Sequence, residues 1–452
     1  MENNINHSVA VIGAGPAGLF AASHLAKNGA QVALINRDIK YGGLAEYGIF
    51  HNKHKMKNGL RKQFHKVIDD PNIHYFGNVS VGQNAHLRIA DLKEMGFSAI
   101  LVTVGAQGTK WLGLPGEDLE GVYHAKDLVY HYNQLPPYSS QDYPIGKKVT
   151  IIGVGNVMLD IAHWAIRDLH VDQVISIARR GPADVKFTKK EMSLVFKNLN
   201  LADLDSEFDR AKDLMESVGQ DAQAAKDFIF SAEKSAQESV SDTDFKLSFL
   251  QQPKQIIGDG NGKVIALEVE ETTLKLREDG KGTRSIGLGK TKRIETDSVV
   301  FCIGDQVDQQ FGLPLDKWGE FAKSPTPAYP IEDVSFEAYD LETNTAIDGV
   351  FLAGWAREAS SGLVGTARKD GVQGAKALAE YLGEKETPPP PVEIIQALQK
   401  ELKSNSDPFV TSAEIKELTL IENAIAEKKE LPFFKFSSNE DMLEALKLVK
   451  PA

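Results

Sequence analysis

The chain has 452 residues, of which 42% are hydrophobic and 25% charged, and this composition is typical of a globular protein with room for two or three domains. Its formal net charge of −12 disfavours non-specific binding to nucleic acid, and its first residues, MENNINHS, form no targeting or membrane-spanning pattern. A single cysteine, Cys302, excludes a disulfide framework, a Cys-x-x-Cys redox pair and a zinc or iron–sulfur site held by cysteines, so we expect a reducing, cytoplasmic location and no metal centre.

The first predicted unit is a strand, a glycine-rich turn, a helix and a second strand between Val9 and Asn36. Gly13 allows a tight turn, Gly15 lets the backbone approach a pyrophosphate, and Gly18 lets the helix pack closely on the strand. The helix N-terminus would offer backbone N–H groups and a positive dipole end to phosphates. We therefore predict a dinucleotide site here, rather than an ordinary turn rich in glycine.

The end of the second strand departs from the usual dinucleotide pattern. That strand normally ends in an acid that binds a ribose 2′-hydroxyl, but this chain has Asn36, followed by Arg37 and Asp38. A neutral residue followed by arginine could instead suit a 2′-phosphate. On this stretch alone, the choice between FAD and NADP stays open.

Residues 51–66, HNKHKMKNGLRKQFHK, carry six lysines or arginines, three histidines and no acid. In an acidic protein this run is a local positive patch. A solvated helix face explains it without any partner, and the run alone favours that interpretation. The alternative is a docking surface for an acidic partner or for phosphates.

The strand–turn–helix–strand pattern repeats after a buried strand at 99–105 and a connection at 112–137. The turn of the second copy contains Gly153 and Gly155, but Met158 replaces the third glycine. That replacement weakens the motif when it is considered by itself.

The second copy ends in an arginine pair, Arg179 and Arg180. Two guanidinium groups just after the second strand suit bidentate binding of a 2′-phosphate, so we predict NADP here rather than an exposed strand end. Two dinucleotide folds in one chain, one of them with an arginine pair, indicate FAD plus NADP(H). The stretch from Val9 to Asn36 is then assigned to FAD by elimination.

Further elements are predicted after the second dinucleotide fold. A β-hairpin is predicted around the turn at 258–262, and a buried strand at 297–304 contains Cys302. The strand at 349–355 leads into a glycine-rich turn and helix at 360–382. The N-terminus of that helix could face the negatively charged edge of a reduced flavin.

We expect an α/β fold of two Rossmann-like three-layer domains, with the NADP domain inserted into the FAD domain. The predicted FAD domain comprises residues 1–106 and 304–452, and the predicted NADP domain comprises residues 107–303. After a stiff break at Pro388–Pro391, we expect a helical tail with a capping box that opens at Thr411. The tail is either a packing element or a subunit contact, and the oligomeric state stays open.

Motifs along nearly the whole chain together resemble the adrenodoxin-reductase-like ferredoxin–NADP⁺ reductases, a branch of the glutathione-reductase type of two-dinucleotide-fold flavoproteins. They are VAVIGAGPAG (9–18), GGLAEYGI (42–49), YFGNVSVG (75–82), VGAQ (104–107), LPGEDLEGVYHAKDLVYHYNQLP (114–136), GVGNVMLDIA (153–162), RRGPADVKFTKKE (179–191), GW (354–355) and SGLVGT (361–366).

The resemblance implies roles for individual residues of this chain. The implied FAD contacts are Gly13, Gly15, Pro16, Ala17, Gly18, Asn36, Arg37, Gly43, Leu44, Val81, Gly105, Gly354, Trp355, Gly362, Leu363 and Val364. The implied NADP contacts are Gly153, Gly155, Asn156, Val157, Arg179, Arg180, Glu191 and Thr366. The residues implied beside the reacting atoms are Trp355, Glu191, Lys53 and His54.

Several residues depart from the pattern of the relatives. Asn36 replaces an acid, Lys53 falls where relatives carry histidine, and Leu194 replaces another acid. The residues after Gly-Trp, which include Glu358, also differ from the relatives' Arg-Gly-Pro-Thr. These changes bear on the flavin potential, on proton handling and on the choice of acceptor, but they leave both nucleotide sites in place.

The resemblance implies hydride transfer from NADPH to FAD, and then single-electron transfer to a ferredoxin-type iron–sulfur protein. An acidic ferredoxin would dock on positive surface, for which residues 53–66 and Lys186, Lys189 and Lys190 are candidates. The alternatives are an NADPH-dependent flavin monooxygenase or oxidase, or a glutamate-synthase-like electron-input subunit, which usually brings a cysteine-rich segment that this sequence lacks. A disulfide reductase is excluded by the single cysteine.

Overall fold

The computed structural model describes residues 6–359, 362–386, 390–404 and 407–450. These residues form two compact units. The first comprises the described residues of Met1–Thr109, Tyr130–Ser140 and Gly304–Ala452, and the second comprises Lys110–Val129 and Gln141–Ile303. The second unit is thus inserted in sequence between segments of the first, while the assignment of FAD to one and NADP to the other stays a prediction.

The strands, in chain order, are β1 (Ser8–Ile12), β2 (Gln31–Ile35), β3 (Ile73–Phe76), β4 (Ala99–Val102), β5 (Gly108–Thr109), β6 (Val122–His124), β7 (Lys148–Ile152), β8 (Gln173–Ile177), β9 (Asp244–Ser248), β10 (Gln251–Gly258), β11 (Val264–Leu276), β12 (Thr283–Glu295), β13 (Ser298–Phe301), β14 (Asp305–Gln306), β15 (Glu337–Asp340) and β16 (Thr345–Leu352).

The α-helices are α1 (Pro16–Lys27), α2 (Leu44–Tyr47), α3 (His54–Ile68), α4 (Ile89–Glu94), α5 (Ala125–Tyr132), α6 (Asn156–Arg167), α7 (Lys189–Met192), α8 (Leu201–Ser217), α9 (Ala222–Phe230), α10 (Val364–Gly383), α11 (Pro391–Ser404), α12 (Ser412–Lys428) and α13 (Asn439–Ala445). Of the predicted break at Pro388–Pro391, Pro388 and Pro389 lie outside the described residues, and Pro391 is the first residue of α11.

The first unit is built on a sheet of order β15-β16-β4-β1-β2-β3, parallel except for the antiparallel pair β15–β16. Every residue of β1 is buried, as its continuous apolar sequence requires of a strand covered on both faces. Val11 belongs to the core that includes α1 and α10, and Ile12 belongs to the core that includes α11. The connections leave β1 in opposite directions, so a ligand crevice is expected at its carboxyl end.

The second unit contains a fully parallel sheet of order β6-β13-β7-β8-β9 and an antiparallel sheet of order β10-β11-β12. Here β7 lies at the switch point of the parallel sheet. The predicted hairpin is confirmed between β10 and β11. The sequence did not predict β12, because most of its residues are exposed and its glycines and charges obscure any alternation of apolar and polar residues.

The C-terminal tail packs on the first unit. Its predicted capping box is confirmed at the start of α12, where Thr411 and Glu414 bond reciprocally. Val410 pairs with Gly77, and buried side chains of α12 and α13 join the core that contains α1. The tail is therefore a packing element of this unit. None of the helices formed by the described residues is long and apolar enough to cross a bilayer.

Candidate functional site

The first glycine-rich turn has a shape that only glycine allows at two positions. Gly13 has a φ of +103°, and a Cβ atom there would lie 2.6 Å from the carbonyl oxygen of Thr103. A Cβ atom on Gly18 would overlap the carbonyl oxygen of Gly13. The Thr103 hydroxyl donates to the carbonyl oxygens of Ile12 and Gly13, at 2.9 and 2.8 Å, and thereby fixes the turn against β4.

Gly15 faces open space instead of protein. A Cβ atom placed on it would have no protein atom within 4 Å, although Gly15 directly precedes α1. The N–H groups in the first turn of a helix have no acceptor within that helix, so a bound ligand can supply acceptors for those of α1. The loop at Gly42 also contacts this turn, because the Gly42 N–H donates to the Ala14 carbonyl at 2.8 Å. The arrangement fits a pyrophosphate held by backbone N–H groups.

The Asn36 side chain forms hydrogen bonds with the protein backbone. Its side-chain oxygen accepts the Ala14 N–H at 2.9 Å, and its amide nitrogen donates to the carbonyl oxygens of Asp38 and Lys40 at 2.8 and 3.1 Å. The residue is 8% exposed. It therefore ties the turn after β1 to the loop after β2. Its predicted contact with an FAD ribose stays a prediction, and Arg37 beside it is exposed and paired with Asp38 at 3.0 Å.

The Gly354–Trp355 turn lies against the start of α1. Gly354 has a φ of +66°, and a Cβ atom there would lie 2.6 Å from the Cβ atom of Ala17. Gly371 of α10 also has no room for a Cβ atom, which would overlap the Ala17 carbonyl oxygen. The structure thus brings together Ala17, Gly354 and α10, as the predicted FAD cradle requires. Trp355 is half-buried at this position.

The N-terminus of α10 is open to solvent. Gly362 has a φ of +72°, Leu363 is 70% exposed, and Val364 is the first residue of the helix. A large apolar side chain exposed at a helix N-terminus suits contact with a flat ligand. Thr366, which we predicted as an NADP contact, is also exposed there, and Ser361 of the same motif lies outside the described residues.

The other residues predicted in the first unit are placed as follows. Gly43 has a φ of +48°, and its Cβ position would lie 3.0 Å from the Gly15 Cα atom, so the predicted contact loop touches the first turn. Leu44 is the half-buried first residue of α2. Val81 forms a bridge with Leu87, and Gly105 follows β4 with a φ of +74°. Pro16 is the first residue of α1.

Lys53 and His54 lie at the N-terminus of α3. Lys53 is the residue that precedes the helix, and the His54 ring centre is 6.0 Å from that of Phe433. Partial burial lowers the pKa of His54, and the charge of Lys57 lowers it further. Their role beside the reacting atoms stays a prediction.

A buried charge cluster around Glu46, just after Gly42 and Gly43, was missed by sequence reasoning. Glu46 accepts two bonds from Arg61, at 2.7 and 2.6 Å, and lies 3.2 Å from the Lys435 ammonium group. Lys57 donates to the Asn133 side chain at 2.6 Å, and Lys435 donates to the Asn133 carbonyl at 2.6 Å. The cluster joins α2, α3, the residue that follows α5, and the C-terminal tail.

Burial and the neighbouring charges shift the pKa values of the groups in this cluster. Burial lowers the pKa of Lys57 to about 7 and that of Lys435 to about 8. Burial would raise the pKa of Glu46, but Lys435 and Arg61 outweigh it and lower that pKa to about 2. The only signal in the sequence was Glu46 itself, a charged residue inside the apolar motif that follows Gly43.

The second glycine-rich turn repeats the geometry of the first. Gly153 has a φ of +132°, and a Cβ atom there would overlap the Cys302 carbonyl oxygen. Cys302 is half-buried just after β13, so the prediction that it lies within the strand is wrong by one residue. A Cβ atom on Gly155 would meet no protein atom within 4 Å, and α6 begins at the next residue. Met158, in place of the third glycine, is fully buried.

A neighbouring loop runs along this turn. The Asn156 side chain accepts the Thr188 N–H at 2.8 Å, and the Lys186 N–H donates to the Val154 carbonyl at 2.9 Å. Thr188 precedes the short helix α7, whose third residue is Glu191. The structure thus brings Asn156 and the segment of Glu191 together. Val157, predicted as a further contact, is 45% exposed.

The two arginines after β8 differ in their surroundings. Arg180 donates to the Asp184 carboxylate at 2.8 Å, and its side chain is 28% exposed. The Arg179 side chain is exposed, while its carbonyl oxygen accepts the Thr272 hydroxyl at 2.8 Å. Arg179 is therefore better placed than Arg180 to bind a phosphate group. Among the described residues, His, Cys, Asp and Glu side chains form no group of three or more that could hold a metal ion.

Comparisons with known proteins agree with this geometry. The family model for pyridine nucleotide-disulphide oxidoreductases matches residues 7–198. The NADPH-ferredoxin reductase FprA of Mycobacterium leprae is 26% identical, with 97% of this chain and 98% of that protein covered. The mitochondrial NADPH:adrenodoxin oxidoreductase of Arabidopsis thaliana is 27% identical over 79% of this chain and 78% of that protein. The structure of Mycobacterium tuberculosis FprA in complex with NADPH matches with a TM-score of 0.78 and 25% identity, covering 98% and 99% of the two chains.

The two sheets, each with a glycine-rich turn at its switch point, form the two Rossmann-like domains that were predicted, and this two-domain fold matches that of FprA. The predicted resemblance to the adrenodoxin-reductase-like ferredoxin–NADP⁺ reductases is confirmed.

Proposed function

We propose that this protein uses FAD to oxidise NADPH and passes the electrons singly to a ferredoxin-type iron–sulfur protein. The observation that carries the proposal is the presence of two turns, at Gly15 and Gly155, that are closed by protein on one side and open at the helix N-terminus on the other. The relatives named NADPH-ferredoxin reductase and NADPH:adrenodoxin oxidoreductase support it. A flavin, when bound, supplies the step between two-electron and one-electron transfer.

The contribution of the chain itself is binding and orientation. Gly15 and the first turn of α1 would hold the FAD pyrophosphate, and the Gly354–Trp355 turn would lie beside that cofactor. Gly155 and Arg179 would hold the NADPH pyrophosphate and 2′-phosphate. We thus assign the FAD contacts to the first unit and the NADP(H) contacts to the second, except for Thr366, which lies on α10 of the first unit.

The first test is purification followed by a visible spectrum. We expect a yellow protein whose flavin is bleached by NADPH and reoxidised on addition of a ferredoxin. A colourless protein that takes up no FAD would contradict the proposal. Fast NADPH consumption in air, unaffected by ferredoxin, would instead favour the flavin oxidase or monooxygenase alternative.

The arginine pair sets the expected preference for NADPH over NADH. We expect Arg179→Leu to lower kcat/KM for NADPH by about 10- to 100-fold, because one charge-assisted contact to a phosphate is worth roughly 1.5–3 kcal/mol. Arg180→Leu is expected to have a smaller effect, because Asp184 already binds that guanidinium. The measurement is flavin reduction by each nucleotide. An equal loss with NADH, which has no 2′-phosphate, would show that Arg179 acts on the fold instead.

We also propose that the iron–sulfur partner is acidic. In the first unit, Lys55, Lys62 and Lys66 are exposed on α3. In the second unit, Lys189 and Lys190 are exposed on α7 and Lys186 is exposed shortly before it. Complementary charge of this kind raises the rate of association more than it changes the bound state. We propose a cytoplasmic location as well, because a chain with a single cysteine fits a compartment that keeps thiols reduced.

Neutralising these lysines is expected to weaken the reaction with ferredoxin alone. For Lys55→Gln with Lys62→Gln, and separately for Lys189→Gln with Lys190→Gln, we expect KM for an acidic ferredoxin to rise about 3- to 10-fold and its salt dependence to decrease. Flavin reduction by NADPH should not change. The control is Lys400→Gln, an exposed lysine on α11. If neither pair alters KM or the salt dependence, docking occurs elsewhere.

A further inference from the structure

The carboxylate of Asp370 is buried where three segments of the first unit meet. Asp370 is the seventh residue of α10, so it is too far along the helix to cap its N-terminus. The next residue, Gly371, lies against the Ala17 carbonyl oxygen at the start of α1, and Gly354 lies against the Cβ atom of the same alanine. A charge at this place needs partners, because an isolated buried carboxylate is strongly unfavourable.

Two partners come from the turn that carries Trp355. One Asp370 oxygen accepts the Gly354 N–H at 2.5 Å. The Arg357 guanidinium donates to the same carboxylate from Nε and Nη2, with Nη2 only 2.6 Å from Oδ1. The two side chains are 14% and 12% exposed. The carboxylate therefore binds both ends of the segment Gly354–Arg357, with Trp355 between the bonded groups.

Arg357 is itself held on other sides. Its guanidinium lies over the Phe336 ring, 5.0 Å from the ring centre. Its carbonyl oxygen accepts the Lys323 ammonium group at 2.8 Å, and Lys323 also pairs with Glu320 at 3.3 Å. Arg357 was among the residues that depart from the relatives after Gly-Trp, and the structure places it inward instead of at the surface.

We infer that Asp370, through Gly354 and Arg357, is a positioning residue that fixes the Trp355 turn against the start of α1, beside the predicted FAD site. A buried ion pair adds little net stability compared with apolar packing, but it imposes one geometry on the groups it joins. Here the geometry imposed is that of a backbone turn with a φ of +66° at Gly354. The inference rests on the proposed function, since it is the FAD cradle that the turn would complete.

The test uses the purified full-length protein with the flavin it retains. Hydrogen exchange of the Gly354 amide is measured in the wild type, Asp370→Asn, Asp370→Ala and Arg357→Met. We expect Asp370→Ala to speed exchange at Gly354 by tenfold or more, because a charge-assisted bond is lost. Asp370→Asn keeps an acceptor for that N–H, so its effect should be smaller. The reduction potential of the flavin should shift in the same order.

The matched control is Lys369→Met, which removes an exposed ion pair with Glu332 from the adjacent residue of α10. It should leave both the Gly354 exchange and the flavin potential unchanged. Unchanged exchange at Gly354 in Asp370→Ala would overturn the inference, as would an equal rise at the amides of β2, which would indicate a general loss of stability. If Asp370→Ala does not fold, Asp370→Asn and Arg357→Met give the same comparison. A wild-type protein without flavin would contradict the proposed function instead.

Discussion

Gly15→Ala is expected to leave the protein folded but unable to retain FAD, whereas Gly18→Ala, three residues later, is expected to prevent stable folding. A Cβ atom on Gly18 would overlap the Gly13 carbonyl oxygen and lie 2.5 Å from the Thr103 hydroxyl, so the helix must move away from the strand. We expect a cost of about 3 kcal/mol or more, as for severe overpacking in a core. Thermal and denaturant unfolding of the two variants measure this difference.

The methyl group of Gly15→Ala has no protein neighbour within 4 Å, so unfolding should change by less than about 1 kcal/mol. The same methyl group occupies the side from which a pyrophosphate would approach α1, and loss of the backbone contacts there should weaken FAD binding on the order of 100-fold. Flavin content after gel filtration, and titration of the apoprotein with FAD, are the measurements.

Two further glycines supply controls. Gly155→Ala has the same open geometry in the second unit, so it should weaken NADPH binding while the flavin is retained. Gly59 lies in the middle of α3, and a Cβ atom placed on it would meet no atom within 4 Å. Gly59→Ala should therefore stabilise the protein slightly, since alanine is the better helix former. If Gly15→Ala binds FAD as tightly as the wild type, the pyrophosphate does not lie on this turn.

The sequence predicted both turns because their signals are local. Gly13, Gly15 and Gly18 lie within six residues, and the roles expected of them as a tight turn, an open approach and a close helix contact agree with the geometry found. The strands that precede them are short and mostly apolar, and they pair with their neighbours in parallel, as predicted. Which ligand atoms these turns bind stays a prediction.

The contacts that complete the site could not be predicted, because they join residues far apart in the sequence. Glu46 and Lys435 are 389 positions apart in the sequence, and no periodicity marks either residue. Gly354 and Asp370 are closer in sequence, but their contact depends on how α10 packs on α1. Each of these polar groups is buried only because the tertiary fold brings its partner to it.

Asn36→Asp is expected to destabilise the protein although it replaces only NH₂ by oxygen. One oxygen would still accept the Ala14 N–H, but the other would face the carbonyl oxygens of Asp38 and Lys40, which the Asn36 amide now contacts at 2.8 and 3.1 Å. A buried carboxylate that accepts one N–H but otherwise faces two carbonyl oxygens, at a position that is 8% exposed, should cost about 3 kcal/mol at pH 7. Denaturant unfolding of the variant and the wild type checks this value.

The pH dependence of the stability of Asn36→Asp shows how much of the destabilisation is due to the charge of the new carboxylate. Burial and the facing carbonyls would raise the pKa of the new carboxyl in the folded state above its unfolded value near 4. The variant is then destabilised to the full extent above the pKa of the folded state. Its stability returns as the pH falls toward the pKa of the unfolded state. Asn52→Asp, at an exposed position, should show neither effect.

The same reasoning explains why the ribose-binding acid of other dinucleotide folds is absent here: a carboxylate cannot donate to the two carbonyl oxygens to which the Asn36 amide donates. An Asn36→Asp variant as stable as the wild type at pH 7 would show that these carbonyls turn away without cost.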